Sequence, residues 1–418
     1  MDGWRLKQVS ALFSVSFCSF VPVLNGFIPI GAGLLAAGVT FVTNWLALIP
    51  WRQSKGKHWS EQARLLYPVR VAARSNLWTV PSILVLTVLL LWPDSSPLWL
   101  FTGIASVLGA YAGTFPTDHE IFPRIPLRDL LRQAIIGLLL RFLIWFVFIG
   151  AAVLMPDEFN ELAWGIGGAV IGLWVIWSRG GLIWLGRKLG LFLPAPERLR
   201  KIAADTSARM NVPFREVMLV RVQLAQAFAL PGSRQLLFTE RLLELLSDDE
   251  VASICAHELA HLTESKAARY SRSVRMLTFM PWMFFNPLMH TFGLPAFFGL
   301  CGITIGVPIV YRRISRKLES RADQMAKANE GDAGTYARAL TRLYEDGLLP
   351  AVTAKQRATH PHLYDRILAA GGTPDFPRPA APGSMALHGA IFAGLAGMLF
   401  AVFVMRAMQF FSPAGQQF

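Results

Sequence analysis

Apolar runs about 20 residues long recur through this chain, and each is long enough to cross the ~30 Å hydrocarbon core of a bilayer as one α-helix. They fall at 9–28, 31–51, 77–93, 98–115, 134–155, 163–186, 276–293, 295–311 and 386–407. Only 16% of the residues are charged and mean hydropathy is +0.42, whereas soluble domains carry about 25% charged residues. The reading is a multi-pass integral membrane protein in contact with the lipid bilayer. Pro22, Asn25 and Gly26 disturb the first run, and Pro281, Pro287 and Pro295 the seventh and eighth. Arg5 and Lys7 ahead of the first run resemble the start of a signal peptide. The apolar stretch continues almost unbroken to Trp51 without a clear small-residue cleavage site, so it reads as a membrane anchor.

The net charge of +13 and pI near 10.1 raise the question of nucleic acid. No stretch pairs a basic patch with a base-reading motif, so the reading is against it. The basic residues instead flank the apolar runs: Arg52, Lys55, Lys57, Arg64, Arg70 and Arg74 after the second, Arg124, Arg128 and Arg132 after the fourth. The connections 29–30, 94–97, 156–162 and 293–295 contain no Lys or Arg. Nine spans then place the N-terminus inside, the C-terminus outside, and both hydrophilic pieces on the cytoplasmic side. Arg141 lies within the fifth run, where a charge implies a polar chamber between spans or snorkelling; Arg179, near the inner end of the sixth, suits snorkelling. Cys18, Cys255 and Cys301 are isolated and read as small core residues, with no disulfide framework.

The chemistry concentrates at Ala256-His257-Glu258-Leu259-Ala260-His261, an H-E-x-x-H pattern. Residues four apart share a helix face, so His257 and His261 can offer imidazoles to one Zn2+ ion. Glu258 is placed to take a proton from a water at that ion. Ser247-Asp248-Asp249-Glu250 has capping-box form and starts a helix whose apolar positions include Val251, Ile254, Cys255, Leu259 and Leu262. The surrounding soluble piece reads as α+β. Pro196 suits a helix N1 position; Val217–Val220, Leu224–Leu230 and Leu236–Thr239 read as strands, the last two joined at Pro231-Gly232-Ser233; a helix runs through Glu240–Leu246. Two histidines leave one protein ligand missing from a catalytic zinc site. Glu264 lies seven residues from His257 on the same face, but three ligands on one straight helix fall in a line. It stays a minor candidate, with a solvated or ligand-supporting carboxylate as the alternative.

Farther on stands Ser315-Arg316-Lys317-Leu318-Glu319-Ser320-Arg321-Ala322-Asp323. With the zinc helix, this resembles the M48 metallopeptidases, which include the Ste24 prenyl-protein proteases, the HtpX membrane proteases and the Oma1 proteases. Their S-R-x-x-E-x-x-A-D segment supplies the third ligand and a carboxylate behind the ligands. The resemblance thus implies Glu319 as the third ligand and Asp323 as its support. Without it, Glu319 would read as a surface carboxylate on a basic helix. Gln226-Ala227-Phe228-Ala229 resembles the family's N-A-x-A strand beside the site, with Gln in place of Asn. That strand could bind extended substrate by strand addition, or be an ordinary core strand. Thr359-His360-Pro361-His362-Leu363-Tyr364-Asp365-Arg366-Ile367 resembles T-H-P-P-x-x-x-R-I, which implies His360, before His362, as a stabiliser of the developing oxyanion. Arg366 either shares that role or pairs with a carboxylate. The match covers roughly residues 195–370.

The fold expected is mainly α, a multi-span helical membrane protein carrying an α+β gluzincin-type zinc peptidase domain. Its parts are a membrane domain of about six spans over 1–186, a first peptidase segment over 187–275, two spans or a hairpin over 276–311, a second peptidase segment over 312–384, and a final span and tail over 385–418. The expected function is zinc-dependent endoproteolysis of membrane-associated polypeptides. The resemblance implies HtpX-like quality control, with Ste24-like processing of prenylated CaaX proteins as the alternative. A non-catalytic zinc-binding membrane scaffold is the reading of another class. A prokaryotic cytoplasmic membrane is favoured over the endoplasmic reticulum. Oligomeric state is not legible.

Overall fold

The computed structural model describes residues 27–91, 96–126, 128–129, 143, 147–148, 150–268, 278–353 and 362–382. Within them the chain is mostly helical, with one small sheet. Five helices are long and apolar enough to cross a membrane: Phe27–Arg52, Trp59–Val88, Leu98–Ile121, Glu161–Lys188 and Leu294–Ala328. The runs expected at 9–28, 134–155 and 386–407, with Arg141, lie wholly or largely outside the described residues. The chain divides into two compact units. One comprises Met1–Lys55, Leu65–Leu130 and Gly383–Phe418, the other Gly56–Arg64 and Leu131–Pro382.

The first unit contains α1 (Phe27–Arg52), most of α2 (Trp59–Leu91), α3 (Ser96–Ala112) and α4 (Phe115–Ile121). Its core joins Ile28, Ala32 and Ala36 of α1 to Val80, Leu84 and Val88 of α2 and to Leu98 and Ala110 of α3. Small residues let α1 and α3 approach: a Cβ built on Gly109 would lie 1.9 Å from the Gly33 carbonyl oxygen. Helix α2 corrects the sequence reading, because it begins at Trp59, inside the basic stretch read as a connection. The reason is visible in its buried ridge. Leu66, Val69, Ala72, Asn76, Val80, Leu84 and Val88 recur every three or four residues, and the charges fall between them. Pro68 and Pro81 sit inside the helix, each removing one backbone donor.

In the second unit, α5 (Glu161–Ile176) starts at Asn160, whose side chain accepts from the Ala163 N–H at 3.0 Å. A π turn at Trp177–Gly181 follows, where Gly180 adopts φ 150°, and α6 (Leu182–Lys188) completes this membrane-length helix. Arg179 lies in that turn and is exposed. The chain then enters β1 (Phe192–Pro194), α7 (Glu197–Met210), β2 (Glu216–Val220), β3 (Ala227–Leu230), β4 (Gln235–Thr239), α8 (Glu240–Leu245) and α9 (Asp248–Leu262). Next come a 3-10 turn at Met280–Phe284, α10 (Phe285–Phe292), α11 (Leu294–Ala328), α12 (Thr335–Asp346) and α13 (Leu363–Ala369).

The sheet order is β1-β2-β4-β3, with β2 and β4 parallel and the outer pairs antiparallel. Strand β4 is buried at all five positions and β3 forms an edge. Helix α9 lies at the centre of the unit. Val251, Ile254, Cys255, Ala256, Leu259 and Leu262 share one core with Leu199, Ile202 and Ala203 of α7, Leu236 and Phe238 of β4, and Tyr336 and Leu340 of α12. Trp59 and Ala63 from the start of α2 join this core, and the Trp59 ring meets Phe376 edge-on at 5.1 Å.

Among the described residues of the stretch 276–311, only the later part is a helix of membrane length. Helix α10 has eight residues, about 12 Å, well short of the ~30 Å needed. It packs against α11 in a hairpin turned at Gly293, whose φ of 61° favours glycine.

Candidate metal centre

Helix α9 is held at its first turn before any ligand appears. The Ser247 hydroxyl accepts from the Glu250 N–H at 3.4 Å, and the Glu250 carboxylate accepts from the Ser247 N–H at 3.0 Å, so the expected capping box forms. Arg198 of α7 bonds Asp248 and the Leu246 carbonyl, at 2.6 and 2.9 Å. Arg342 of α12 reaches buried Glu250 at 2.8 Å. Asp248, Asp249 and Glu250 also suit the positive end of the helix dipole.

Two turns on, His257 and His261 emerge on one face, both buried, their rings 5.0 Å apart and nearly perpendicular. Glu319 approaches from α11. Its Oε2 lies 3.5 Å from His257 Nε2 and 3.8 Å from His261 Nε2. One ligand atom from each of the three residues falls within 4.8 Å of the other two. Helix α11 delivers Glu319 because Ser315, Glu319, Ala322 and Ala326, spaced three or four apart, form its buried ridge against α9. Arg321 adds a bond to the Thr263 hydroxyl, which ends α9, at 2.8 Å.

Behind each imidazole stands a carboxylate. His261 Nδ1 lies 2.7 Å from Glu264 Oε1. Of the two alternatives for Glu264, the structure therefore matches the ligand-supporting one, since the residue is only 4% exposed. His257 Nδ1 lies 2.8 Å from the Tyr336 hydroxyl and 3.1 Å from Asp323 Oδ1. The Tyr336 hydroxyl donates to Asp323 Oδ1 at 2.6 Å. Arg366 closes the network, donating from Nε to Asp323 Oδ2 at 2.8 Å and from Nη2 to Oδ1 at 2.7 Å and to Tyr336 Oη at 3.1 Å. Burial pushes the Tyr336 pKa well above its ordinary 10, so the group stays a donor. Its one proton serves Asp323, which leaves its oxygen to accept from His257 Nδ1–H. Both imidazoles thereby present Nε2 towards Glu319, the orientation a metal ligand needs.

The donor set fits a divalent cation by its chemistry: two neutral-capable imidazoles and one carboxylate, the His2Glu combination of catalytic zinc sites. The electrostatics agree. Burial alone would lower the His257 pKa, but hydrogen bonds to Asp323 and Glu319 and the charge of Glu258 outweigh it and raise the group to about 9. The pocket is thus anionic enough to hold a cation, proton or metal. Glu258 follows His257 on α9 and is 8% exposed.

The other expected site residues are distributed as follows. Gln226 uses its backbone: its N–H donates to Thr239 Oγ1 at 2.9 Å and its carbonyl accepts from the Thr239 N–H at 3.0 Å. Its side chain is exposed. Ala227, Phe228 and Ala229 lie on edge strand β3, which packs against α9. Phe228 is 45% exposed, whereas Ala227 and Ala229 pack against the core. Arg366 pairs with the Asp323 carboxylate and, among the described residues, reaches His257 through Asp323 and Tyr336. His362 caps α13, and its Nδ1 accepts from the Thr353 N–H at 3.1 Å. His360 lies outside the described residues. Sequence reasoning missed Tyr336. The available signal was an amphipathic helix, Thr335–Asp346, with a tyrosine on the face it buries.

A family model described as Peptidase family M48 matches residues 195–373. Similar curated proteins are each named Protease HtpX homolog. The one from Nostoc punctiforme is 29% identical over 161 residues, covering 35% of this chain and 56% of that protein. The one from Aquifex aeolicus is 30% identical over 167 residues, covering 35% and 55%. The one from Syntrophobacter fumaroxidans is 29% identical over 167 residues, covering 36% and 59%. The chain thus spans about half the length of the curated relatives it matches. The segment similar to peptidase family M48 contains both histidines, Glu319 and the Asp323–Tyr336–Arg366 network.

Proposed function

We propose that this protein is a zinc-dependent integral membrane endopeptidase, with His257, His261 and Glu319 holding one zinc ion. The observation that carries the reading is the convergence of two imidazoles and a carboxylate within 4.8 Å, with Glu258 beside the first ligand on the same helix. Bound zinc supplies Lewis-acid polarisation of a scissile carbonyl and makes water acidic near neutral pH. Glu258 takes the proton of the attacking water and returns it to the leaving amine. Asp323 and Glu264 hold the two imidazoles by Nδ1, and Arg366 neutralises Asp323. Strand β3 is an edge of the sheet among the described residues, and its outer side would receive an extended polypeptide by strand addition, with Phe228 as a side-chain contact. His360 is the candidate to stabilise the oxyanion.

The favoured substrates are membrane-associated proteins, in HtpX-like quality control, as the similarity to proteins named Protease HtpX homolog supports. Processing of prenylated CaaX proteins is the alternative. The basic residues at the peptidase-domain ends of the membrane helices support a cytoplasmic site, and the similarity to bacterial proteins favours a prokaryotic membrane over the endoplasmic reticulum. A zinc-binding scaffold is less favoured, because structural zinc normally closes four protein ligands and the described residues bring together three. The test is Glu258→Gln in the full-length protein. Zinc content should stay at the wild-type level while cleavage of an unfolded membrane protein disappears; retained cleavage overturns the mechanism.

A further inference from the structure

Helix α11 is one continuous rod with two environments. From Leu294 to Val310 it exposes Phe298, Ile303, Ile305, Ile309 and Val310, an apolar surface suited to lipid tails. From Ser315 onward it buries Ser315, Glu319, Ala322 and Ala326 in the peptidase core. Arg312, Arg313 and Lys317 stand at the junction, all exposed. None makes an ion pair or hydrogen bond with a described residue. No Asp or Glu occurs between Leu294 and Leu318 to balance them. At about 3.6 residues per turn, Arg313 and Lys317 lie on the side of α11 facing away from Ser315 and Glu319. The other membrane-length helix among this unit's described residues also ends on basic residues, Arg187 and Lys188, just before β1. Arg187 has a partner within the protein, Glu216, whereas the α11 trio has none among the described residues.

Unbalanced cations directly beyond a lipid-facing surface sit at headgroup level, where anionic phospholipid supplies the missing charge. We propose that Arg312, Arg313 and Lys317 form a binding site for anionic phospholipid headgroups, and that lipid held there fixes the depth of α11 and so the position of Glu319. Glu319 lies six residues beyond Arg313, about 9 Å along the same helix. The lipid site stands on the helix alone; its effect on Glu319 rests on the metal site described under Proposed function.

The test uses the full-length protein in phosphatidylcholine vesicles, with and without phosphatidylglycerol. Association of spin-labelled phosphatidylglycerol relative to phosphatidylcholine is measured for the wild type, for Arg312→Gln/Arg313→Gln/Lys317→Gln, and for Lys201→Gln/Arg209→Gln/Lys266→Gln, which removes equal charge from other exposed positions. Each basic residue near an anionic surface is worth about fivefold in affinity, so the first variant should lose roughly ten- to a hundredfold selectivity and the control less than about twofold. Equal selectivity in the wild type and the first variant overturns the lipid site. Zinc retention against a chelator should be several-fold longer in anionic vesicles for the wild type and lipid-independent for the first variant. Lipid-independent retention in the wild type overturns the coupling. A zinc-loaded protein that cleaves nothing in any vesicle refutes the peptidase reading and leaves both of these readouts intact.

Discussion

Replacing Tyr336 with Phe removes one oxygen from the site and little else. The hydroxyl bonds His257 Nδ1 at 2.8 Å, Asp323 Oδ1 at 2.6 Å and Arg366 Nη2 at 3.1 Å. The ring, stacked on His257 with centroids 6.0 Å apart, stays in place. No charge is orphaned, because Asp323 keeps both Arg366 bonds and His257 Nδ1 keeps Asp323 at 3.1 Å. The cost to folding is therefore that of hydrogen bonds within a charged network, about 1.5–3 kcal/mol. The effect on metal should be specific. Partners that orient a ligand histidine are typically worth ten- to a hundredfold in affinity, and here the carboxylate remains, so about tenfold is expected. That corresponds to about 1.4 kcal/mol. Competition against a chromophoric zinc chelator, at a temperature where the variant is fully folded, measures it. A zinc affinity unchanged from the wild type would refute the claim that Tyr336 holds His257 for the metal.

Four other outcomes follow from the site and its flanking strand. Arg366→Ala leaves Asp323 buried without its bidentate partner and should destabilise the protein by about 3–5 kcal/mol, read as a lowered midpoint in denaturant. Cleavage by Glu258→Gln should fall by at least about a hundredfold at unchanged zinc content. Phe228→Asp on edge strand β3 should raise KM several-fold while kcat and zinc affinity hold, and an unchanged KM would remove β3 from substrate binding. The metal-free protein should be pH-sensitive through His257. Its folded pKa of about 9 lies above the unfolded 6.5, so its contribution is complete below pH 6.5 and lost as pH rises through 9. Thermal unfolding with and without zinc should show that loss in the metal-free form alone.

The parts legible in the sequence were those carried by local spacing. Ser247 and Glu250 announced the start of α9, and His257 and His261 shared a face because they are four apart. Strands β2, β3 and β4 followed their short apolar runs and the Pro231–Ser233 turn, whereas β1 has only three residues. Glu319 was not legible from spacing. It lies 58 residues beyond His261 on a basic helix, and only the family resemblance singled it out. Tyr336 escaped because a buried phenol in an amphipathic helix looks like core until its partners are known. Hydropathy also misplaced the start of α2, since it averages over faces. The ridge from Leu66 to Val88 continues beneath the charges that made the stretch look like a connection. At 278–293 the opposite happened: the composition was apolar enough, but a 3-10 turn opened by Pro281 gives way to eight-residue α10, which ends at Gly293.

The account stands on Glu319 completing a metal site with His257 and His261. X-ray absorption at the zinc edge of the purified full-length protein, compared with Glu319→Ala, tests this directly. The wild type should bind one zinc with two imidazole nitrogens and a carboxylate oxygen at about 2.0–2.2 Å, and the variant should lose the carboxylate and most of its zinc. An identical spectrum and full zinc content in Glu319→Ala would contradict it.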